Sequence, residues 1–148
     1  VIKLTKPTRS GPPLESDILR DVRKWLAEQP DVRVWRNNTG KLRDANGRLV
    51  TFGLAEGSSD LVGIIRLPCQ PVVEVHHHDG GRVDFVASRV VREVARFLAI
   101  ELKQPGKKPT EDQMRFLDTI NRDGGVGFWA DNLATVIDFI ARARRWEV

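Results

Sequence analysis

The chain has 148 residues, a formal net charge of +4, 41% hydrophobic and 30% charged residues, and a single cysteine, Cys69. That length fits one domain, and the composition supports a packed core and argues against wholesale disorder. One cysteine excludes an intramolecular disulfide and a four-cysteine zinc site, and suits a reducing cytoplasm. No apolar run approaches the roughly 20 residues that a membrane-spanning helix needs, so no membrane is expected, and the N-terminus has no signal-peptide layout. Opening on Val1 rather than methionine suggests trimming or fusion at that end. The modest positive charge is compatible with a polyanionic partner but does not decide for one.

Residues 1–13 are polar, basic and proline-containing, and read as an N-terminal arm, leaving 14–148 as one domain. Leu14, Ile18, Val22, Trp25 and Leu26 form a helical apolar stripe that must stop before Pro30. Val32, Val34 and Trp35 suggest a strand, followed by the polar run Arg36-Asn37-Asn38-Thr39-Gly40. Lys41 to Phe52 reads as a hairpin turning at Asn46-Gly47. Leu61 to Leu67 has the character of a buried strand, stopped by Pro68. Val72–Val75 and Val83–Val86 suggest a second hairpin around Asp79-Gly80-Gly81, and Ser88 to Arg96 fits helix or strand equally. Phe97 to Lys103 is another strand and Gln104 to Pro109 a Gly/Pro/Lys loop. Thr110 opens a helix to about Arg122, Val126–Ala130 is a short strand, and Asp131 is expected to cap a last helix with Leu133, Val136, Ile137 and Ile140 on its apolar face. The order predicts an α/β domain around one mixed sheet flanked by helices.

Chemistry concentrates in two short segments. Side chains alternate along a strand, so Glu101 and Lys103 share a face and Leu102 takes the other. A carboxylate and an ammonium on one face can hold a divalent cation and a water side by side, although a frayed strand end with two solvated charges would read the same. Asp60 follows Gly57-Ser58-Ser59 and directly precedes the apolar strand Leu61–Leu67, at a strand terminus of the kind where sites are assembled; a turn-forming aspartate is its plainer role. If the two strands are neighbours, Asp60 and Glu101 converge into an oxygen-rich pocket suited to Mg²⁺.

Taken in order, Gly57-Ser58-Ser59-Asp60, Glu101-Leu102-Lys103 and Gly106-Lys107-Lys108-Pro109-Thr110-Glu111-Asp112-Gln113 resemble the VRR-NUC branch of the PD-(D/E)XK nucleases. Glu15 and Arg36-Asn37-Asn38-Thr39-Gly40 also resemble its stand-alone, phage-type members, which places the chain in a bacterium or a phage-infected one. The resemblance spans about residues 14–140 and is interrupted by an unusual, insertion-like stretch over 68–96. It implies a restriction-endonuclease-like fold that hydrolyses DNA phosphodiester bonds with Mg²⁺ or Mn²⁺. Asp60 and Glu101 would be metal ligands, helped by the backbone carbonyl of Leu102, and Lys103 would hold the attacking water.

The resemblance extends the candidate site. Gln113 would orient water or phosphate, though Thr110-x-x-Gln113 is equally a capping box. Glu15 would be an outer ligand or an orienting group, though an acid in a first helical turn is favoured by the helix dipole alone. Arg36, Asn37, Asn38 and Lys107 are the candidate nucleic-acid contacts; Lys41, Arg43, Arg48 and Lys108 stay open. Trp25 and Trp129 read as core residues, and Trp35 and Trp146 are undecided. For His76-His77-His78 a solvated hairpin is preferred to a metal site. Stand-alone relatives act as homodimers on branched DNA, which implies a Holliday-junction-resolvase-like endonuclease. The alternative is a non-catalytic DNA-binding module that keeps the fold; the presence of both acids and the lysine speaks against it.

Overall fold

The computed structural model describes residues 11–69, 73–87 and 93–148. Residues 1–10 of the expected arm, and 70–72 and 88–92 of the insertion-like stretch, lie outside the described residues. Eleven elements follow in the order α1 (Glu15–Ala27), β1 (Val32–Arg36), β2 (Gly40–Arg43), β3 (Leu49–Phe52), β4 (Leu61–Pro68), β5 (Val73–His77), β6 (Val83–Ala87), β7 (Glu93–Leu102), α2 (Glu111–Arg122), β8 (Val126–Ala130) and α3 (Leu133–Arg144). The fold class is mixed α/β. Among the described residues no helix is long and apolar enough to cross a membrane.

The expected single sheet divides into three. β1, β4, β7 and β8 form a four-stranded sheet in that order, while β2–β3 and β5–β6 are separate two-stranded hairpins. The reason lies in the patterning. β4 alternates buried and exposed residues and the second half of β7, Leu98 to Leu102, is wholly buried, whereas every residue of β3 and three of the four in β2 are exposed, so that hairpin has no apolar face turned to the core. β4 is antiparallel to β1 and to β7, and β8 runs parallel to β7 through the α2 crossover.

Burial then fixes the layers. Ile18, Val22 and Leu26 of α1 join Val136, Ile140 and Ala143 of α3 in one core cluster with Val32, Leu61, Ile65, Leu67, Leu98, Ile100 and Leu102 from the sheet. Leu98, Ile100 and Leu102 alternate with Ala99 and Glu101, so those two face the other way, toward α2. Gly63 of β4 is where β1 comes closest: a Cβ there would sit 1.9 Å from the Arg33 carbonyl oxygen. Arg144 of α3 closes the α1–β1 turn, donating to both Asp31 carboxylate oxygens at 2.7 and 2.8 Å. That guanidinium holds the Asp31 carboxyl below its usual range. Asn132, not Asp131, caps α3: its side chain accepts from the Thr135 amide at 2.9 Å. One residue of added reach after β8 lets the chain turn before the helix starts.

Candidate active site

Four strand ends meet at one edge of the central sheet. β1, β7 and β8 finish there and β4 begins there, as their relative directions require. Continuing the register by one residue sets Asp60 opposite Glu101 on one side and Asn37 on the other, and the Asn37 amide donates to the Asp60 carbonyl at 2.8 Å. The N-termini of α1 and α2 reach the same edge through Glu15 and Gln113. Helix N-termini carry partial positive charge, so the edge favours anions before any side chain is considered.

Glu101 is the centre of the arrangement and is wholly buried. Its Oε1 accepts from Lys103 Nζ and from Gln113 Nε2, both at 2.5 Å. Its Oε2 is buried and has no hydrogen-bond partner. Burial pushes the carboxyl up from 4.5 to about 7; the Lys103 ammonium pulls it down, and the negative charge of Asp60 pushes it further up. Two donors on one oxygen and none on the other leave Oε2 as an acceptor aimed at a cation or a proton. The alternative of a solvated strand end is excluded for Glu101, because it is wholly buried.

Asp60 is held from two sides. Its Oδ2 accepts the Leu102 amide at 2.8 Å, locking its carboxylate to the strand that carries Glu101. The loop before it is latched by Asn37, whose Nδ2 donates to Ser58 Oγ at 2.8 Å and to the Ser59 carbonyl at 3.0 Å. Gly57 (φ +78°) brings that loop against the start of α2, where a Cβ would meet the Asp112 Cβ at 2.7 Å. Loop, strand and helix thus converge because glycine leaves room for them.

The sequence-predicted residues divide into three groups. Asp60, Glu101, Lys103 and Gln113 come together, and Gln113 fills both roles considered for it: its Oε1 accepts the Thr110 amide in a capping box while its Nε2 holds Glu101. Glu15 and Arg36 line the same cleft as Asp60 and Leu102. Among the described residues no three acidic, histidine or cysteine side chains gather closely enough to hold a metal ion, so Glu15 stands outside a direct cage with Asp60 and Glu101. Asn37 is engaged inside the protein rather than presented outward, whereas Asn38 and Lys107 are exposed. β5 ends at His77, so His78 lies beyond the strand and does not share a strand face with His76; it sits 3.1 Å from Asp84. Trp129 is half-buried outside the core cluster, a correction to its core reading, while Trp25 packs against that cluster as expected. Trp35 is 60% exposed, and Trp146 donates to the Pro68 carbonyl at 3.0 Å.

Asn37 and Ser58 as a loop latch had no signal in the sequence, since they are 21 residues apart. Arg20, Arg23 and Lys24 line the cleft beside Asp60 and were also passed over, although their spacing on α1 opposite the apolar stripe is readable.

The donor set suits Mg²⁺ or Mn²⁺. Such ions are held by one or two carboxylates and retain several waters, and the unpartnered, buried Glu101 Oε2 beside Asp60 is the acceptor such an ion would use. Compared with known proteins, the chain matches no family model, no curated protein and no solved structure.

Proposed function

We propose that the chain is a metal-dependent endodeoxyribonuclease with a restriction-endonuclease-like arrangement of its sheet and helices, as the VRR-NUC resemblance implies. The observation that carries the reading is the buried Glu101 carboxylate: one oxygen is saturated by Lys103 and Gln113, and the other is unpartnered beside Asp60. A structural carboxylate buried in this way would be fully paired or replaced by an apolar residue. A bound Mg²⁺ or Mn²⁺ would supply positive charge to the phosphoryl oxygens and make water more acidic.

The protein's own groups do the rest. Asp60, fixed by the Leu102 amide, and Glu101 form the acidic pair. Gln113 restrains the Glu101 rotamer from α2. Lys103, 15% exposed, lies where its ammonium can hold the attacking water and offset negative charge as the phosphorus gains its fifth oxygen. Arg36, at the end of β1 and on the cleft that Asp60 lines, would position phosphate. The preference for branched DNA and a two-fold homodimer rests on the resemblance alone.

Incubation with plasmid and four-way-junction DNA, with and without Mg²⁺, tests the proposal. Cleavage is expected only with metal. Asp60→Ala, Glu101→Ala and Lys103→Ala should each reduce it by about 10²–10³ or more, with the acid variants also losing metal binding in calorimetry and the lysine variant keeping it. Undiminished cleavage by Glu101→Ala, in a preparation cleared of contaminating nuclease, would refute the site.

A further inference from the structure

A groove of about 780 Å³ runs between α1 and the open edge of β1 and ends at Asp60 and Leu102. Its floor includes Leu19, Leu26, Val32 and Val34, and its rim carries Arg20, Arg23, Lys24, Arg33 and Arg36. We propose that this groove holds the backbone of a single unpaired nucleic-acid strand and leads it into the Asp60–Glu101 site, an inference that rests on the nuclease reading above.

The rim cations are not equivalent. Arg20 is committed to Asp17 and Asp21, and Arg33 donates to the Val32 carbonyl at 2.8 Å. Among the described residues Arg23, Lys24 and Arg36 have no ion-pair partner, and all three are exposed. Leu19, Arg23 and Ala27 follow one another at i, i+4 spacing, and Arg20 and Lys24 form the parallel row, so the cations stand along one face of the helix. The only acidic side chains on the lining are Glu15 and Asp60, both at the site end. Of the lining charges the unpaired cations stand along the groove and the acids at its site end, a layout that aligns a polyanion with its end at the carboxylates.

Size selects a single strand. Pockets of roughly 300–1,000 Å³ hold one drug-sized molecule, so a trough of this volume between one helix and one strand edge matches a few nucleotides of one chain. From Lys24 to Glu15 is nine residues of α1, about 14 Å at 1.5 Å per residue, a length that a few nucleotides of one unpaired strand span. The floor is aliphatic, with no aromatic ring on the lining, so bases gain no stacking platform there and sequence preference is slight.

The test is fluorescence anisotropy of the full chain in EDTA, which suppresses cleavage, with a labelled 12-nucleotide oligo-dT, a blunt duplex of equal length and poly-glutamate as competitor. Each is titrated at several salt concentrations. Arg23→Ala/Lys24→Ala should weaken oligo-dT binding about tenfold or more and make the log–log salt slope shallower by about 1.4, two single-strand phosphates at ~0.7 each. Arg122→Ala, an exposed cation that does not line the groove, should leave both unchanged; circular dichroism and melting confirm that the variants fold. An unchanged slope in the double variant, an equal loss in Arg122→Ala, tighter binding of the duplex, or equal displacement by poly-glutamate would each overturn the groove. Metal-dependent cleavage measured in parallel separates the two readings. Cleavage with an unresponsive groove removes the strand track alone, and a responsive groove without cleavage of any substrate removes the nuclease alone.

Discussion

Replacing Glu101 with glutamine should stabilise the metal-free protein, and only above acidic pH. The carboxyl is wholly buried and pushed up to about 7 from 4.5. Between those values the folded state holds a proton that the unfolded state has lost, so stability falls as pH rises across the interval. The penalty is absent below about 4.5 and complete above about 7; at ~1.36 kcal/mol per pH unit it comes to roughly 3 kcal/mol. Glutamine cannot ionise and escapes it. For a domain of about 150 residues, at 2–4 °C per kcal/mol, Glu101→Gln should melt roughly 6–12 °C above the wild type at pH 8 and near it at pH 4.5. Thermal melts followed by circular dichroism in EDTA from pH 4.5 to 8 measure this directly. Mg²⁺ should then reverse the order at pH 8, because ligand binding stabilises only the form that can bind it. An advantage of glutamine that is the same at both pH values, or a variant less stable at pH 8, would refute the argument that burial dominates this carboxyl.

Two further outcomes check the surrounding frame. Gly63→Ala places a Cβ 1.9 Å from the Arg33 carbonyl, so β1 must separate from β4; a loss of about 3 kcal/mol or more is expected in urea unfolding, and a loss below 1 would show that the edge strand yields easily. Thr110→Ala removes only the α2 cap and should cost about 1 kcal/mol while leaving cleavage within a few-fold, whereas Gln113→Ala also frees Glu101 and should slow cleavage about tenfold or more. Equal kinetic effects in the two variants would assign Gln113 to capping alone.

How far the sequence could be read depended on the range of the interaction. The α1 stripe, the Leu61–Leu67 strand, the Thr110 cap and the Asn46-Gly47 hairpin turn all declare themselves within a few residues, and each is found where periodicity and turn chemistry put it, with the strand running one residue further to include Pro68. The pairing of Asp60 with Glu101 needed only the assumption that β4 and β7 are neighbours, which their register bears out. What stayed hidden was set by distant partners. Asn37 looked like a surface contact because nothing near it in the chain reveals Ser58, and for Glu101 the solvated alternative stayed open beside the metal-ligand reading because its burial comes from β8 and α2. The hairpins were assigned correctly as hairpins but joined to the wrong sheet, since strand pattern reports a face to bury and not the neighbour that buries it.

The detached β2–β3 hairpin gives the molecule two tiers of stability. Its ladder is made only with itself, and isolated two-stranded hairpins are marginal in water. It can therefore open and close while β4 and β7 stay paired, so its amides would exchange with solvent far sooner than those of Leu61–Ile65 or Leu98–Leu102. Lys41 nonetheless grips Glu56 at 2.9 Å, only four residues before Asp60. That pair is exposed, and exposed pairs contribute about 1 kcal/mol or less, so opening of the hairpin leaves Asp60 on the Leu102 amide and its loop on Asn37. Both halves of the acidic pair belong to the rigid part of the protein, and the yielding part ends short of them.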